Sequence, residues 1–297
     1  VEEYYWDNKI EYLRKTRDAY YNDDYLEFLV KSVWRLNQPI SIIDYGCGYG
    51  YLGLKLLPLL PKGTKYTGID KGNQLISEAR AVFGTLPYET EFIVGDITEA
   101  ELECKYDVAL CHAFLMHMTD PILVLKKMVD SVVDQGRIIC FEANWISAMA
   151  NTYLAGVDQS KITDLGILQK LYEDDAKRNG KDGNIGIKLP RYFSQLGLKD
   201  IGCRVSDKVN FLDSNVDQSL KQKMCTSFCE DGFGADPGEQ DIFVRRLIDR
   251  GMSFEDAQRQ YQTEKLLASL FNIQSDLVSA ATMKITFGTV CRGEAKG

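Results

Sequence analysis

From Pro39 onward the chain alternates short apolar or β-branched runs with amphipathic stretches: ISIID, LGLKLLPLL, KYTGID, NQLISEARAVF, EFIVGD, YDVALC, DPILVLKKMVDSVV and GRIICFEAN. Runs too short for helices separated by segments with helical spacing predict strands and helices in alternation, and hence a parallel sheet covered on both faces. Residues 1–38 carry apolar positions at helical intervals (Tyr12, Ala19, Tyr25, Phe28, Leu29, Val33) and predict one or two helices ahead of the first strand. After Trp145 the rhythm stops, and residues 146–188 read as helical and polar with no strand. LPRYFSQLGLKDIGCRVSD resumes it and supplies a sixth strand. Residues 213–281 hold at least two helices, one closed by Gly251 and the next opened by Ser253 and Asp256. ATMKITFGTV then supplies a seventh strand, expected to run antiparallel.

The expected organisation is a helical segment at 1–38, a core at 39–145, a helical insertion at 146–188, core again at 189–212, a helical lid at 213–281 and the last strand at 282–297. The lid's apolar positions (Ile242, Phe243, Leu247, Ile248, then Leu266, Leu267, Leu270, Phe271) must pack on something. The expectation is that it roofs the crevice above Gly46 and Cys111 with help from 146–188. The alternative is a homodimer interface.

Composition narrows the function. At 297 residues, 45% hydrophobic and 26% charged, this is an ordinary globular chain. No apolar run approaches a membrane span, so a cytoplasmic protein without membrane association is expected. A net charge of -8 disfavours nucleic-acid partners, whose affinity rests on neutralised phosphates, and favours a small-molecule substrate. The eight cysteines are scattered, several inside apolar runs, and read as reduced core residues. Only Cys225 and Cys229 are close, and no metal site is expected.

The stretch IIDYGCGYGYLG, residues 42–53, carries two overlapping signatures. Asp44 is followed by Gly46, Gly48 and Gly50 at alternate positions, while Gly48 opens a literal G-x-G-x-x-G. A dinucleotide fold turns at its first glycine directly after the strand. Here the strand run ends at Asp44, so Gly46 must turn first, and a carboxylate there would face a pyrophosphate. S-adenosylmethionine (SAM) has no phosphate, and it carries an ammonium that a carboxylate can hold.

The DYGCGYG stretch and its flanking strands resemble the class I SAM-dependent methyltransferases over about residues 38–145. Within them the chain is similar to the small-molecule group that includes ubiquinone and menaquinone C-methyltransferases. The resemblance implies a seven-stranded Rossmann-like α/β fold and SAM as cofactor. It implies that Asp70 accepts both ribose hydroxyls, a device that dinucleotide enzymes share. It further implies that Leu75 packs on adenine, that Asp96 accepts from the adenine amino group and that the N–H of Ile97 reaches a ring nitrogen. Cys111 and His112 would sit at the crevice, beside the methionine end of the cofactor.

The sulfonium already activates the methyl group, so transfer needs alignment and desolvation, and a base only if the acceptor must lose a proton. His112 is the candidate base, with simple packing as the alternative; His117 matches a position that is more often structural. Tyr4, Tyr5, Trp6, Tyr20 and Tyr21 could cover the cofactor, cage a substrate or fill the core. The expected function is SAM-dependent methyl transfer to a small molecule at O, N, S or C. A non-catalytic SAM-binding subunit and a dinucleotide oxidoreductase are the alternatives.

Overall fold

The computed structural model describes residues 4–100 and 105–292. Two short helices, α1 (Ile10–Thr16) and α2 (Asp23–Phe28), precede the first strand. The strands β1 (Ser41–Tyr45), β2 (Lys65–Asp70), β3 (Glu89–Val94), β4 (Tyr106–His112) and β5 (Val132–Glu142) pair in parallel. With β7 (Lys199–Val205) and β10 (Lys284–Thr289) they form one seven-stranded sheet in the order β3-β2-β1-β4-β5-β10-β7. β10 runs antiparallel to both β5 and β7, as the sequence pattern anticipates.

The central strands lack in/out alternation because helices bury both faces: Ile42, Ile43, Asp44 and Tyr45 are all buried. Between the strands run α3 (Tyr51–Leu56), α4 (Asn73–Phe83) and α5 (Pro121–Asp130). α3 gives way to a 3₁₀ turn at Leu57–Leu59, where Pro58 cannot continue the helix. α4 buries Leu75, Ile76, Ala79 and Phe83 on one face. α5 begins where the Asp120 carboxylate accepts from the Leu123 N–H at 2.9 Å, with Pro121 in its first turn. The strand order reverses between β1 and β4, which opens a crevice at their carboxyl ends.

Beyond β5 lie α6 (Trp145–Ala150), β6 (Thr152–Leu154), α7 (Gln159–Ile162), α8 (Leu165–Asn179) and α9 (Leu189–Gln195). After β7 come β8 (Val209–Leu212), α10 (Gln218–Glu230), α11 (Gln240–Asp249), α12 (Phe254–Leu270) and β9 (Leu277–Ala280). Ser253 caps α12, its hydroxyl accepting from the Asp256 N–H at 3.1 Å. The reading of 146–188 as strand-free needs correction, because Thr152–Leu154 is a strand. β6, β9 and β8 form a second, antiparallel sheet, so β8 does not continue the main sheet and the lid segment is not wholly helical. Three or four residues are too few to display a period of two, and the pairing partners lie far apart in sequence. This accessory sheet closes on its own small core of Leu154, Leu212, Cys225, Leu267, Phe271 and Leu277. Among the described residues no helix is long and apolar enough to cross a membrane.

Candidate functional site

At the carboxyl end of β1 the chain turns through Gly46, Gly48 and Gly50, all with positive φ (+69°, +55° and +86°). The turn is tied to β2: the N–H groups of Gly46 and Cys47 donate to the Ile69 carbonyl, and the Gly48 N–H donates to Asp70 Oδ2 at 2.9 Å. A Cβ on Gly46 would fall 2.2 Å from the ring of Phe114, whereas one on Gly48 would meet nothing closer than 3.8 Å. Gly48 therefore owes its identity to backbone conformation and not to crowding. Gly50 starts α3 against the ring of Phe83.

Two carboxylates flank this turn. Asp70 is buried and accepts from Gly48 and Gly72, each at 2.9 Å; burial pushes its carboxyl up, and the two N–H donors pull it back. Asp44 is buried with one partner, the Tyr66 hydroxyl, which donates to Oδ2 at 2.5 Å, while Oδ1 has none. Burial pushes Asp44 up to about 8. Together with Gly46, Gly48, Leu75 and His112 these acids line a cavity of about 70 Å³ at the topological switch point.

The cavity's roof is the N-terminal segment, through Tyr4, Trp6, Leu13 and Arg17. Asp7 latches that segment down by accepting from the N–H groups of Gln74 and Leu75, at 2.9 and 3.1 Å, which supplies the cap that Gly72 cannot give α4. The Arg17 guanidinium meets the Tyr20 hydroxyl at 3.4 Å and has no ion-pair partner among the described residues. Asp231, just past α10, accepts from the hydroxyls of Tyr12 and Tyr20.

His112 ends β4 in an aromatic cluster with Tyr51, Tyr21 and Tyr20 at ring separations of 5.5, 5.7 and 6.1 Å. Burial, then the charge of Arg17, holds its imidazole well below the ordinary histidine range, so it is neutral at physiological pH; its Nε2 has no hydrogen-bond partner. His117 packs on Trp6 at 5.0 Å and is pushed down to about 4, first by burial.

Not every expected site residue faces the cavity. Cys111 is corrected: strand alternation turns it away from the neighbouring His112, and its thiol points at Glu142 Oε1, 3.6 Å away, with no surface on the cavity. Gly50, Asp96 and Ile97 also lie outside the lining. Asp96 accepts from the Thr98 hydroxyl and N–H and from Lys71, and the Thr98 hydroxyl leads in holding it down at about 2. The roof, too, differs from expectation: no residue of 146–188 or 213–281 lines this cavity. The insertion instead packs α10 along α1, with Lys15 paired to Glu230.

Sequence reasoning missed Glu142. This carboxylate, fully buried at the end of β5, accepts from the N–H groups of Phe114, Leu115 and Met116 and so fixes the turn after His112. Its position as an acid closing an apolar strand was the available signal. Glu142→Ala leaves three buried donors unpaired and should lower unfolding free energy by about 3 to 5 kcal/mol. Glu142→Gln, which keeps an oxygen for the Phe114 and Leu115 donors, should lose less than half of that in the same urea titration.

The sequence profile of a family described as a methyltransferase domain matches residues 36–178, which takes in the glycine turn, both acids and all five parallel strands. Residues 36–178 form a methyltransferase domain of the class I SAM-dependent kind. The cofactor of this family is SAM. A malonyl-(acyl-carrier protein) O-methyltransferase of Acetivibrio thermocellus is 36% identical to this chain over 33% of each chain. A ubiquinone biosynthesis O-methyltransferase of Stutzerimonas stutzeri is 30% identical over 33% of this chain and 42% of its own. The alignments thus span about a third to two fifths of these relatives' length. A Haemonchus contortus phosphoethanolamine N-methyltransferase, solved with S-adenosylhomocysteine, overlays 91% of this chain and 53% of its own at 10% identity and a TM-score of 0.48.

For this domain Gly48→Val is a sharp test of the turn. A β-branched residue at φ +55° should cost about 1 to 2 kcal/mol of stability. Circular dichroism should stay nearly native while calorimetric SAM binding disappears; normal binding would mean that the turn is not the cradle.

Proposed function

We propose that the protein holds SAM against the glycine turn and transfers its methyl group to an oxygen of a small-molecule acceptor placed beside His112. The observation that carries this reading is the single cavity in which the turn, Asp44 and Asp70 meet a neutral histidine with an unpartnered Nε2. SAM supplies a methyl group already activated by its sulfonium. The residues present suit it. The unpartnered Oδ1 of Asp44 is a buried acceptor in need of a cation, which the cofactor's ammonium provides. Asp70 keeps lone pairs free beyond its two backbone donors and can accept from ribose hydroxyls. Leu75, in the cavity wall, offers an apolar face that suits adenine.

His112, held neutral by burial, can take the proton of an acceptor hydroxyl as the new bond forms. Oxygen is favoured as the acceptor atom because the matched curated relatives are named O-methyltransferases. A cavity of about 70 Å³ is well below the roughly 300 Å³ of ordinary ligand pockets, so the Tyr4–Arg17 roof and the Phe114 ring must lift to admit the cofactor.

Two measurements test this. SAM and S-adenosylhomocysteine should raise the thermal midpoint while NADH and FAD leave it unchanged. A metabolite library incubated with isotopically labelled SAM should then yield a labelled methyl ether or ester. Stabilisation by NADH or FAD instead of SAM, or SAM binding without transfer to any small molecule, would count against the proposal.

A further inference from the structure

A second and larger cavity, about 540 Å³, lies between α10, β8 and the turn joining α1 to α2. Three properties of its wall go beyond what packing requires. β8 sends Leu212 into the accessory core, while Val209 and Phe211 on its other face are 58% and 51% exposed and line the cavity. On α10, Leu220, 49% exposed, lines the cavity together with half-buried Met224 and Phe228, which also pack against the accessory core that Cys225 enters. Exposed apolar faces converging on one concavity mark a binding surface.

The charge of this wall runs against that of the chain. Lys15, Lys55, Lys208 and Lys223 line it against only Asp18 and Asp23, in a protein of net charge -8. Lys55 pairs with Asp23 and Lys223 with Asp18, but the Lys208 ammonium meets only the main-chain carbonyl of Asp18 among the described residues.

The partition from the cofactor cavity is also unusual. Tyr21, 2% exposed, lines the larger cavity, His112 lines the smaller, and their rings meet edge-on at 5.7 Å. The Tyr21 hydroxyl and His112 Nε2 are both buried without a hydrogen-bond partner. Buried polar atoms are normally satisfied, so two orphans in one thin wall point to a polar group that arrives from outside.

We propose that the larger cavity is the acceptor site, and that the acceptor is an apolar molecule bearing a carboxylate or phosphate. Its anionic group meets Lys208 and Lys223, its apolar body lies on Phe211, Leu220 and Met224, and its methyl-accepting end reaches the Tyr21–His112 wall. The cavity's volume falls within the range of small-ligand pockets, which suits a small molecule better than a second copy of the chain. This inference rests on the methyl-transfer reading.

The test is calorimetric titration of the full chain with dodecanoate, dodecyl phosphate, dodecanol and dodecylamine below their micellar concentrations, with S-adenosylhomocysteine run in parallel. One equivalent of either anion should bind at least about tenfold more tightly than the alcohol, and the amine more weakly still. The tighter of the two anions identifies the headgroup. The doubly substituted Lys208→Gln/Lys223→Gln chain, altered only at its surface, should lose about tenfold in anion affinity and keep its affinity for S-adenosylhomocysteine. Failure of both anions to bind, equal binding of the alcohol or amine, or an unchanged affinity in the variant would each overturn the inference. So would a dimer in sedimentation that Phe211→Asp converts to monomer. Anion binding without S-adenosylhomocysteine binding would uphold the cavity and refute the methyl-transfer reading; the reverse would overturn the cavity alone.

Discussion

Asp70→Ala should weaken S-adenosylhomocysteine binding by about 1.5 to 3 kcal/mol, the range for hydrogen bonds to a charged group. Two effects converge on that number. The substitution removes the acceptor for the ribose hydroxyls, and it frees the Gly48 N–H that holds the turn to β2. The second effect acts on the ligand-free protein as well, since the Gly72 N–H loses the same carboxylate. Stability should therefore fall alongside affinity. Asp70→Asn keeps one oxygen acceptor and should recover part of both. An unchanged calorimetric affinity in the alanine variant would remove Asp70 from the cofactor site.

The other large effect is a proton linkage at Asp44. Without ligand its carboxyl stays protonated up to about 8, because burial outweighs the Tyr66 hydrogen bond. An ammonium beside Oδ1 would ionise it. About a unit below pH 8, cofactor binding should therefore release close to one proton per chain. An α-amino group itself loses its proton near 8, so about a unit above that pH the ligand arrives neutral and binding should take a proton up. Net exchange should thus change sign near 8, with affinity highest there and falling about tenfold per pH unit on the acid side. Calorimetry in buffers of different ionisation enthalpy reads this directly. Asp44→Asn should abolish the release and spare the uptake. Proton exchange near zero across the range would mean that no cation reaches this carboxylate.

The same elevated groups bear on the ligand-free fold. Asp44, and Glu142 at about 7, are both raised by burial, so the stability they confer is complete at acid pH below their unfolded values. It is lost progressively as pH rises from the ordinary carboxyl range, and the loss is complete once pH has passed 7 for Glu142 and 8 for Asp44.

The parallel core was legible because each strand carries a short apolar or β-branched run and amphipathic helical stretches fall between most of them. Strand-end acids are conspicuous against such runs, so Asp44 and Asp70 could be placed on sequence grounds. Arg17 could not: it sits in an amphipathic helical segment whose pattern predicts burial but not what is buried against it. Asp231 joins Tyr12 across more than two hundred residues, a contact with no local signal. Where 213–281 packs was hidden for a related reason. Apolar helical faces show that 213–281 must pack, and its partner proved to be α1 and the accessory sheet, leaving the cofactor crevice to residues 4–17.

The segment from Tyr4 to Asp23 is a wall of both cavities, its first part over the glycine turn and its last part along the lysine-lined groove. Asp7 fastens one end of it to α4, and the Tyr12–Asp231 and Lys15–Glu230 contacts fasten the other to α10. Any ligand that needs this segment displaced bears the cost of breaking those fastenings, and a second ligand finds them already broken. If the two cavities hold cofactor and acceptor as proposed, they are coupled through this segment, and the coupling is reciprocal: an acceptor would change cofactor affinity by the same factor by which cofactor changes acceptor affinity.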